Sequence, residues 1–592
     1  MQNAETVLGV LRDRGSKGLP CNELYRQLFN PQLYLLAYGR IYSNKGAMTP
    51  GVTQETADGM SMEKIQCIID AMRHERYRFA PVRRTHIPKK HGKKLRPLGL
   101  PTWSDKLVGE VVRLLLEAYY EPTFSDRSHA YRPGRGCHTA LWEVADTWTG
   151  TTWFIEGDLS DCFGSLDHDV MIRILAERIH DNRFLRLIRN MLTAGYLEDW
   201  VWHATLSGAP QGGVVSPVLS NIYLHKLDEF VETVLIPQHT QGMRRRRNPA
   251  YRKVKRRLAS AYERGDRTTV RELRQQLRSL PFGDPCDPGY RRLRYSRYAD
   301  DHLLGFVGPK AEAEVIKDQL AGFLRDELGL ELNADKTLIT HARTRAARYL
   351  GYDIIVQHGD SKITNGRRAV NGKIALRVPH EVIKAKRAPY LRRGKPWHRP
   401  AMQNLDDYQI VKTYAAEYRG VVQYYLLAND VWRLSALQWT AETSLLKTLA
   451  AKHQSTVSKM AARHRAKIHT PHGLHTCFEV RVERSGKPAL VARFGGIPLV
   501  RNRNAVLVDR VPKPVAYPRK EVVARLLSGR CELCEEPGKV VVHQVRKLAS
   551  LGEPGTGQPA WAALMARKRR KTLVVCRPCH DTIHGHIAAD AA

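Results

Sequence analysis

Tyr298-Ala299-Asp300-Asp301 places two adjacent carboxylates between two apolar segments of the chain. The flanking residues, Leu293 to Tyr298 and Leu303 to Val307, predict two β-strands joined by a tight turn with the acids at its tip. Two like charges there repel each other unless a cation lies between them and a third acid. A two-metal phosphoryl-transfer site has such an arrangement, with ions roughly 4 Å apart at a 3′ hydroxyl and a leaving pyrophosphate. Taken alone, a solvated Asp-rich turn is an equally good interpretation.

A candidate third acid follows another apolar segment. Residues Trp153 to Asp158 predict a short buried strand that ends in an acid, and a helix with Met171, Ile174 and Leu175 on one face follows. Asp158 is therefore a candidate metal ligand. The alternative is that its carboxylate only caps the start of a helix.

The composition predicts a polyanionic partner. Lys and Arg number 95 against 59 Asp and Glu, a formal charge of +36. A membrane surface is the other candidate, but the sequence shows neither a long apolar run nor a signal-peptide pattern, so we expect a soluble, intracellular protein without a membrane partner. At 592 residues the chain is too long for one core, which predicts three to five modules.

The cysteines predict a metal site near the C-terminus. Four of the ten form two C-x-x-C pairs, Cys531/Cys534 and Cys576/Cys579, about forty residues apart. In a reducing compartment such pairs indicate a metal site rather than a disulfide framework. Four thiolates suit a tetrahedral structural Zn²⁺, and a module this small would fold poorly without the ion.

Several blocks together resemble the reverse transcriptases encoded by group II introns. In chain order they are Asn44-Lys45-Gly46, Thr49-Pro50-Gly51-Val52, Ile87-Pro88-Lys89-Lys90, Leu95 to Pro101, Tyr131 to Gly136, Asp158 to Phe163, Gly208 to Pro217, the Asp-Asp hairpin, Leu332 to Thr337 and Tyr349 to Tyr352. They cover roughly residues 40–355 in the order of the family. Further blocks at Tyr418 to Tyr425 and Leu446 to His453 resemble the maturase thumb of that family.

The resemblance implies roles for the polymerase residues. Asp158 and Asp300 would ligate two Mg²⁺ ions, and Asp301 would support them. Phe163 would exclude the 2′-OH of ribonucleotides, although an ordinary core aromatic is its other interpretation. Lys336 is a candidate proton donor to pyrophosphate, or else a solvated lysine. The remaining residues expected around the incoming nucleotide and template are Lys89, Lys90, Arg96 and Gln211.

Two groups of basic residues are candidate contacts to the intron RNA. The insertion between Gln211 and the hairpin contains Arg244-Arg245-Arg246-Arg247, and Leu258, Tyr262, Val270, Leu273 and Leu277 predict helical pieces with an apolar edge. In the maturase blocks the candidates are Arg419, Lys447 and Lys452. The alternative for all of them is a solvated charged surface.

The C-terminal segment resembles an HNH, or ββα-metal, nuclease. His543, His580 and His584 would surround one divalent ion at the scissile phosphate, with His543 and His584 as ligands. The family pattern places a His general base directly after the first ligand, whereas this chain has Gln544, which cannot accept a proton from water. Either another group, such as His543 itself, acts as the base, or the tail binds DNA without cutting it efficiently.

The predicted fold is an α+β right-hand polymerase with an antiparallel palm sheet, a helical thumb and a zinc-bound ββα tail. The expected domains are an N-terminal extension (1–80), fingers and palm (81–365, basic insertion 237–290), thumb or maturase domain (366–470), a DNA-binding region (471–525) and the nuclease (526–592).

The expected function combines RNA-directed DNA polymerase, maturase and target-nicking endonuclease activities in intron retrohoming. The expected partners are intron RNA, target DNA and deoxynucleotides, in a bacterial cytoplasm at the nucleoid. A splicing factor with an idle polymerase and a reverse transcriptase of a retron or diversity-generating lineage are the rival interpretations.

Overall fold

The computed structural model describes residues 3–88, 95–160, 162–198, 201–205, 207–208, 213–333, 336–359, 362–364, 367–368, 370–509, 521–551 and 558–589. Helices and strands alternate irregularly along the chain, as expected for an α+β protein. Among these residues, no helix combines the length and apolar character needed to cross a bilayer.

The α-helices are α1 Ala4–Ser16, α2 Pro31–Ile41, α3 Met62–Arg73, α4 Trp103–Tyr120, α5 Cys137–Thr147, α6 Cys162–Ser165, α7 His168–Ala176, α8 Asn182–Leu192, α9 Ser216–Phe230, α10 Ile236–Gln238, α11 Pro249–Glu263, α12 Arg267–Ser279, α13 Lys310–Leu328, α14 His380–Arg387, α15 Asp407–Tyr425, α16 Ser435–Lys452, α17 Val457–His464, α18 Val522–Leu527, α19 Ala560–Lys568 and α20 Arg577–Ala589.

The strands are β1 Met60–Ser61, β2 Val82–Pro88, β3 Leu95–Leu100, β4 Trp153–Gly157, β5 Tyr196–Glu198, β6 Val201–His203, β7 Arg292–Tyr298, β8 Asp301–Val307, β9 Ile339–His341, β10 Ala347–Tyr349, β11 Tyr352–Val356, β12 Ile363–Thr364, β13 Arg367–Arg368, β14 Ile374–Arg377, β15 Leu391–Arg392, β16 Lys395–Pro396, β17 Arg465–Thr470, β18 Gly473–Arg484, β19 Lys487–Gly495, β20 Val540–Gln544 and β21 Thr572–Cys576.

The central sheet is antiparallel and has the order β7-β8-β4-β9. β7 and β8 form the predicted hairpin, in which Tyr298 pairs with Asp301 and leaves Ala299 and Asp300 as a two-residue turn. Ala299 has a positive φ of 56°, which fits the primed turns that short hairpins use. The predicted strand before Asp158 is β4, so both acid-bearing segments belong to one sheet.

The N-terminal helices share the largest core with the elements beside the central sheet. α1, α2 and α4 pack together, and their buried residues join those of α7, α8, α9 and α13. The predicted apolar face of α7 is confirmed, since Met171, Ile174 and Leu175 are buried. A second sheet with the order β3-β2-β5-β6 lies next to these helices. Residues 3–80, called the N-terminal segment below, are therefore part of the polymerase core.

The maturase helices and a three-stranded sheet form a second core. Tyr414, Tyr418 and Val422 of α15 are buried, and the ring of Tyr418 lies 5.4 Å from that of Phe494 in β19. The sheet β17-β18-β19 spans residues 465–495, so the expected domain boundary at 470 falls between two paired strands. Residues up to 495 thus pack with the thumb helices rather than with a separate region that starts at 471.

The basic insertion folds as a helical hairpin of α11 and α12. Val254, Ala261, Val270 and Leu273 form a small buried core of its own. Tyr262 was predicted on the apolar edge, but its exposed fraction is 49%. The small residue Ala261 takes the buried position instead, which lets the two helices approach closely.

A buried ion pair holds the hairpin of β7 and β8. Arg297 of β7 and Asp228 of α9 are both 0% exposed, and the guanidinium Nε and Nη2 donate to the two carboxylate oxygens at 2.7 and 2.6 Å. Arg297 Nη1 also donates to the carbonyl of Ala299, at 3.0 Å, inside the turn itself. Burial opposes ionisation of Asp228, but the charge of Arg297 outweighs it and lowers the pKa of Asp228. The pair therefore stays charged and ties the turn to α9.

We expect Asp228→Asn to destabilise the protein by about 3–5 kcal/mol, because it leaves the Arg297 charge buried without a counter-charge. Thermal unfolding measures this. Asp326→Asn is the matched control, since it removes an acid that pairs with Arg325 at the exposed surface, where such a pair contributes little. Equal unfolding temperatures for the two variants would contradict the role given to Arg297.

Candidate active site and metal centres

The three acids of the predicted polymerase site meet at one edge of the central sheet. Gly157 pairs with His302 in the antiparallel β4–β8 register, so the next residue, Asp158, lies opposite Asp301. Asp300 occupies the turn that precedes Asp301. The structure thus brings together acids that are more than 140 positions apart in the sequence.

The electrostatics of the acids are suited to binding a cation. Burial, and then the charges of Asp300 and Asp158, raise the pKa of Asp301 to about 7. Burial and the charge of Asp158 also raise the pKa of Asp300. A carboxylate cluster that resists ionisation on its own is stabilised when divalent ions neutralise it. The residues present therefore fit a site for Mg²⁺.

Lys336 lies against this cluster. Its Nζ donates to Asp158 Oδ2 at 2.5 Å, and this hydrogen bond raises the pKa of Lys336. The lysine is therefore protonated at neutral pH. Sequence reasoning left a proton donor and a solvated lysine open, and the contact with Asp158 favours the first without testing it.

A glycine that sequence reasoning overlooked lets the two strands approach at the site. A Cβ on Gly157 would lie 1.9 Å from Nε2 of His302, a distance that no real contact allows. His302 is 2% exposed, and burial lowers its pKa to about 4, so the ring stays neutral beside the acids. Gly157 stands directly before Asp158 in the sequence, and this adjacency was the available signal.

The structure places only some of the residues predicted to hold the nucleotide. Arg96 is exposed on β3, and its charge partly opposes the rise in the pKa of Asp300 that burial causes. Phe163 belongs to α6. Lys89, Lys90 and Gln211 lie outside the described residues.

The predicted RNA contacts have different surroundings. Arg244 and Arg419 are exposed. Arg246 pairs with Asp284, whereas Arg245 and Arg247 lie over the rings of Tyr290 and Phe282.

Two of the predicted lysine contacts are engaged within the thumb. Lys452 pairs with Asp407 at 2.7 Å, and Lys447 donates to the carbonyl of Pro396. Their ammonium groups are therefore less available to phosphates than that of an exposed arginine such as Arg419.

The segment after β19 returns to the catalytic hairpin. Tyr298 donates its hydroxyl hydrogen bond to Asp509 at 2.7 Å, and the backbone N–H of Tyr131 donates to the same carboxylate. Burial and the hydrogen bond to Asp509 raise the pKa of Tyr298 well above its usual range. Asp509, which the sequence did not single out, thus joins the region after β19 to the hairpin of β7 and β8.

The four predicted zinc ligands come together in the tail, by which we mean residues 521–589. The sulfur atoms of Cys531, Cys534, Cys576 and Cys579 lie within 4.8 Å of one another. Burial raises the pKa of Cys531, but backbone N–H groups that point at its sulfur outweigh this effect and lower the pKa to about 7. Donor type and spacing fit a tetrahedral Zn²⁺.

A second cluster contains the three predicted nuclease histidines and one residue from elsewhere. Ligand atoms of His543, His580, His584 and Asp58 lie within 4.8 Å of one another. Asp58 belongs to the N-terminal segment, almost five hundred positions before His543. Below, the His cluster means these four residues.

Gln544 does not lie beside its neighbour His543 in the cluster. Successive residues of β20 point to opposite faces, and the Gln544 side chain donates to the carbonyl of Tyr42 at 2.8 Å. The residue at the general-base position of the nuclease pattern therefore contacts the N-terminal segment.

Comparisons with known proteins agree with this geometry. Residues 87–245 match the family model described as reverse transcriptase (RNA-dependent DNA polymerase), 374–495 match type II intron maturase, and 531–580 match AI2M/AI1M-like, HNH endonuclease. The chain is 36% identical over 584 residues to the group II intron-encoded protein LtrA of Lactococcus lactis subsp. cremoris, covering 95% of this chain and 96% of that protein. This chain is a group II intron-encoded protein.

More distant relatives of this group II intron-encoded protein include an uncharacterized 91 kDa protein in the cob intron of Schizosaccharomyces pombe. It is 32% identical over 606 residues, 98% of this chain and 73% of that protein. A structure of telomerase from Candida albicans in complex with a fragment of telomeric RNA covers 72% of this chain and 66% of its own, with 12% identity and a TM-score of 0.31.

The group II intron-encoded protein is thus an RNA-directed DNA polymerase that also carries maturase and HNH endonuclease domains, as the sequence predicted. The mixed α and β polymerase fold is confirmed at that level. The match to the reverse transcriptase model ends at residue 245, before the hairpin, so the grouping of Asp300 and Asp301 with Asp158 depends on the sheet register.

The raised pKa of Asp301 predicts how stability depends on pH. The folded protein prefers the neutral acid up to about pH 7, whereas the unfolded chain ionises near pH 4, so without Mg²⁺ the folding free energy becomes less favourable as pH rises between these values. We expect Asp301→Asn to raise the Mg²⁺-free unfolding temperature at pH 8 by roughly 2–4 °C, which corresponds to about 1 kcal/mol.

The measurement is thermal unfolding at pH 5 and pH 8 without added Mg²⁺. The exposed Asp318 on α13 supplies the control Asp318→Asn, which should leave both temperatures unchanged. The same shift in both variants would show that repulsion among the three acids is not its cause.

Removal of one tail thiolate should release zinc. We expect Cys534→Ser to lower the bound zinc by about one ion per chain and to make the tail more sensitive to proteases, because a structural site contributes folding free energy. Elemental analysis of the purified protein measures the zinc. Cys286→Ser changes an exposed cysteine outside the cluster and should keep the wild-type zinc content.

Proposed function

We propose that this protein inserts its intron into DNA by target-primed reverse transcription, with Asp158, Asp300 and Asp301 as the polymerase acids. The observation that carries the proposal is the convergence of these acids on adjacent strands of one antiparallel sheet. We further propose that this sheet is the palm, that β2 and β3 belong to the fingers, and that α15 to α17 form the thumb.

The acids would hold two Mg²⁺ ions, which, when bound, activate the primer 3′ hydroxyl and stabilise the leaving pyrophosphate. The hydrogen bond from Arg297 to the carbonyl of Ala299 fixes the position of the turn that carries Asp300. Lys336 carries a proton next to Asp158 and can deliver it to the pyrophosphate. Arg96 adds positive charge on the side of Asp300, where the triphosphate would lie.

We propose that the maturase activity depends on contacts between intron RNA and the basic surface. The formal charge of +36 supplies a sequence-independent attraction to phosphates. Arg244 at the root of the helical hairpin and Arg419 on α15 are exposed, and arginine suits both phosphates and stacked bases. The protein would stabilise the folded intron by binding it more tightly than unfolded RNA, and splicing and insertion would take place in the cytoplasm, at the nucleoid.

The tail would nick the second DNA strand at the His cluster and so provide the primer. A second candidate function is a polymerase and maturase with a silent tail, and the orientation of Gln544 towards Tyr42 favours it. In that case the primer would come from another source, such as a replication fork.

Replacing both hairpin acids separates the activities. We expect the double variant Asp300→Asn, Asp301→Asn to lose DNA synthesis by at least about a thousandfold, because loss of charge stabilisation at the reacting phosphate has costs of this order. Intron splicing should stay within about twofold of the wild type, since maturase contacts lie elsewhere. Primer extension on intron RNA and a splicing assay measure the two activities.

A duplex target labelled on each strand distinguishes the two functions of the tail. With intron RNA, Mg²⁺ and deoxynucleotides, a nick opposite the insertion site followed by extension supports target-primed synthesis. His580→Ala should remove the nick and the extension from it, but neither insertion nor extension on a pre-nicked duplex. Insertion without a nick, together with full extension on a pre-nicked duplex, would establish the silent tail.

Loss of splicing in the double variant of the hairpin acids would contradict the separation of the polymerase and maturase sites.

A further inference from the structure

We propose that Asp58 of the N-terminal segment is the fourth protein ligand of the divalent ion in the His cluster, so that the docked tail carries a closed metal site shared between two modules. This inference deepens the proposed function and rests on it for one step, that the histidines hold an ion. It assigns to Asp58 a role that connects the nuclease to the polymerase.

Backbone pairing carries Asp58 to the histidines. β1 adds to the tail sheet next to β20, with Met60 opposite Val542, and the N–H of Gly59 donates to the carbonyl of Val542 at 2.9 Å. The Gln544 N–H donates to Asp58 Oδ1 at 2.7 Å. The carboxylate is therefore held at the end of the β1–β20 ladder rather than on a loosely placed loop.

The distances to the ring nitrogens are those of a cluster that could share one ion. Asp58 Oδ2 lies 2.8 Å from Nε2 of His584 and 3.4 Å from Nε2 of His580, and Asp58 Oδ1 lies 3.2 Å from Nδ1 of His543. Asp58 thus contributes an oxygen donor to a group of three imidazoles.

Buried ring nitrogens that lack a hydrogen bond are further evidence that the His cluster binds an ion. Among the described residues, both ring nitrogens of His543 and Nε2 of His580 are buried and lack hydrogen-bond geometry to any partner. His543 is 2% exposed, so bulk solvent does not reach its ring. Such atoms are costly in a folded protein unless a metal ion or an ordered water completes them.

The number and type of its ligands determine whether such a metal site can take part in catalysis. Three imidazoles and a carboxylate are suitable ligands for Zn²⁺ or a similar ion. A catalytic zinc site keeps one position open, whereas four protein ligands close a tetrahedral site. With Asp58 in place, the scissile phosphate would lack a position on the ion, so cleavage requires that Asp58 leave.

Contacts between the N-terminal segment and the tail hold Asp58 beside the histidines. Val540, Val542 and Val574 on one face of the tail sheet are buried in the same core as the N-terminal helices. Arg546 donates to the carbonyl of Met48, and Lys539 pairs with Glu63 at 2.6 Å. Movement of the N-terminal segment against the tail, as could accompany binding of nucleic acid, would thus open the metal site.

Cobalt binding to the full-length protein tests the proposal. With zinc kept in the cysteine cluster, Co²⁺ is titrated and followed by its visible absorption, which is intense for four-coordinate cobalt and lacks a thiolate band when only nitrogen and oxygen bind. We expect Asp58→Ala to weaken binding by at least about tenfold, the lower range for loss of even an outer-shell partner, and to reduce the absorption as water molecules raise the coordination number above four. His543→Ala should abolish the signal.

Two further variants separate ligation from docking. Glu63→Gln removes another carboxylate contact between the N-terminal segment and the tail, but an exposed one outside the cluster, and should bind cobalt like the wild type. Asp58→Asn keeps the size and the hydrogen bond from Gln544 yet loses the charge, and should behave like Asp58→Ala even where alanine disturbs folding.

The outcomes are distinct. Wild-type cobalt affinity and spectrum in both Asp58 variants would overturn the proposal and leave Asp58 as an ion-pair partner of protonated histidines. Absence of a cobalt signal in the wild type would overturn it as well. Faster nicking by Asp58→Ala together with weaker cobalt binding supports it. Failure of every variant to nick contradicts only the nuclease function, since the cobalt titration still decides on Asp58.

Discussion

The buried pair of Arg297 and Asp228 is the interaction on which the proposed polymerase site depends. Three acids of like charge at one sheet edge repel each other, and burial makes their ionisation still more costly, as the raised pKa of Asp301 shows. The hairpin keeps them together because Arg297 binds Asp228 with two hydrogen bonds and Ala299 with a third. A fully desolvated guanidinium can do this only with a complete set of partners.

The same arrangement explains why the site is suited to cations. The fold brings the acids together and holds Lys336 against Asp158 as a counter-charge. Gly157 and the neutral ring of His302 fill the space behind the acids, so neither a further charge nor a side chain separates the two strands. Preorganisation of this kind lowers the reorganisation needed when nucleotide and metal bind.

The tail is connected to the polymerase by strand alternation. Val540 and Val542 face the polymerase core, whereas Val541 and His543 face the small tail core with Trp561. Gln544 returns to the first face and binds Tyr42. The strand β20 thus supplies an interface on one face and the proposed metal ligand His543 on the other. The five residues of this strand therefore couple the position of the N-terminal segment to the geometry of the His cluster.

Local patterns in the sequence were sufficient to predict four features: the hairpin of β7 and β8, the strand before Asp158, the buried face of α7 and the two Cys-x-x-Cys pairs that come together in the tail. Each of these follows from side-chain periodicity or spacing within about ten residues, which the chain expresses locally. The order of the sequence blocks along the chain was sufficient to identify the family. The helices of the insertion were also predictable, although which of Ala261 and Tyr262 is buried depends on how two helices pack.

Tertiary structure alone decided the partners that come from distant parts of the chain. Asp228 and Arg297 carry no spacing signal, because sixty-nine positions and an inserted helical hairpin separate them. Asp58 resembles any acid in a loop until β1 pairs with β20, and Gln544 has a partner only because that pairing brings Tyr42 to its face. Ion pairs and metal sites require atoms within a few ångströms of one another, and the local sequence does not encode which distant residue will supply them.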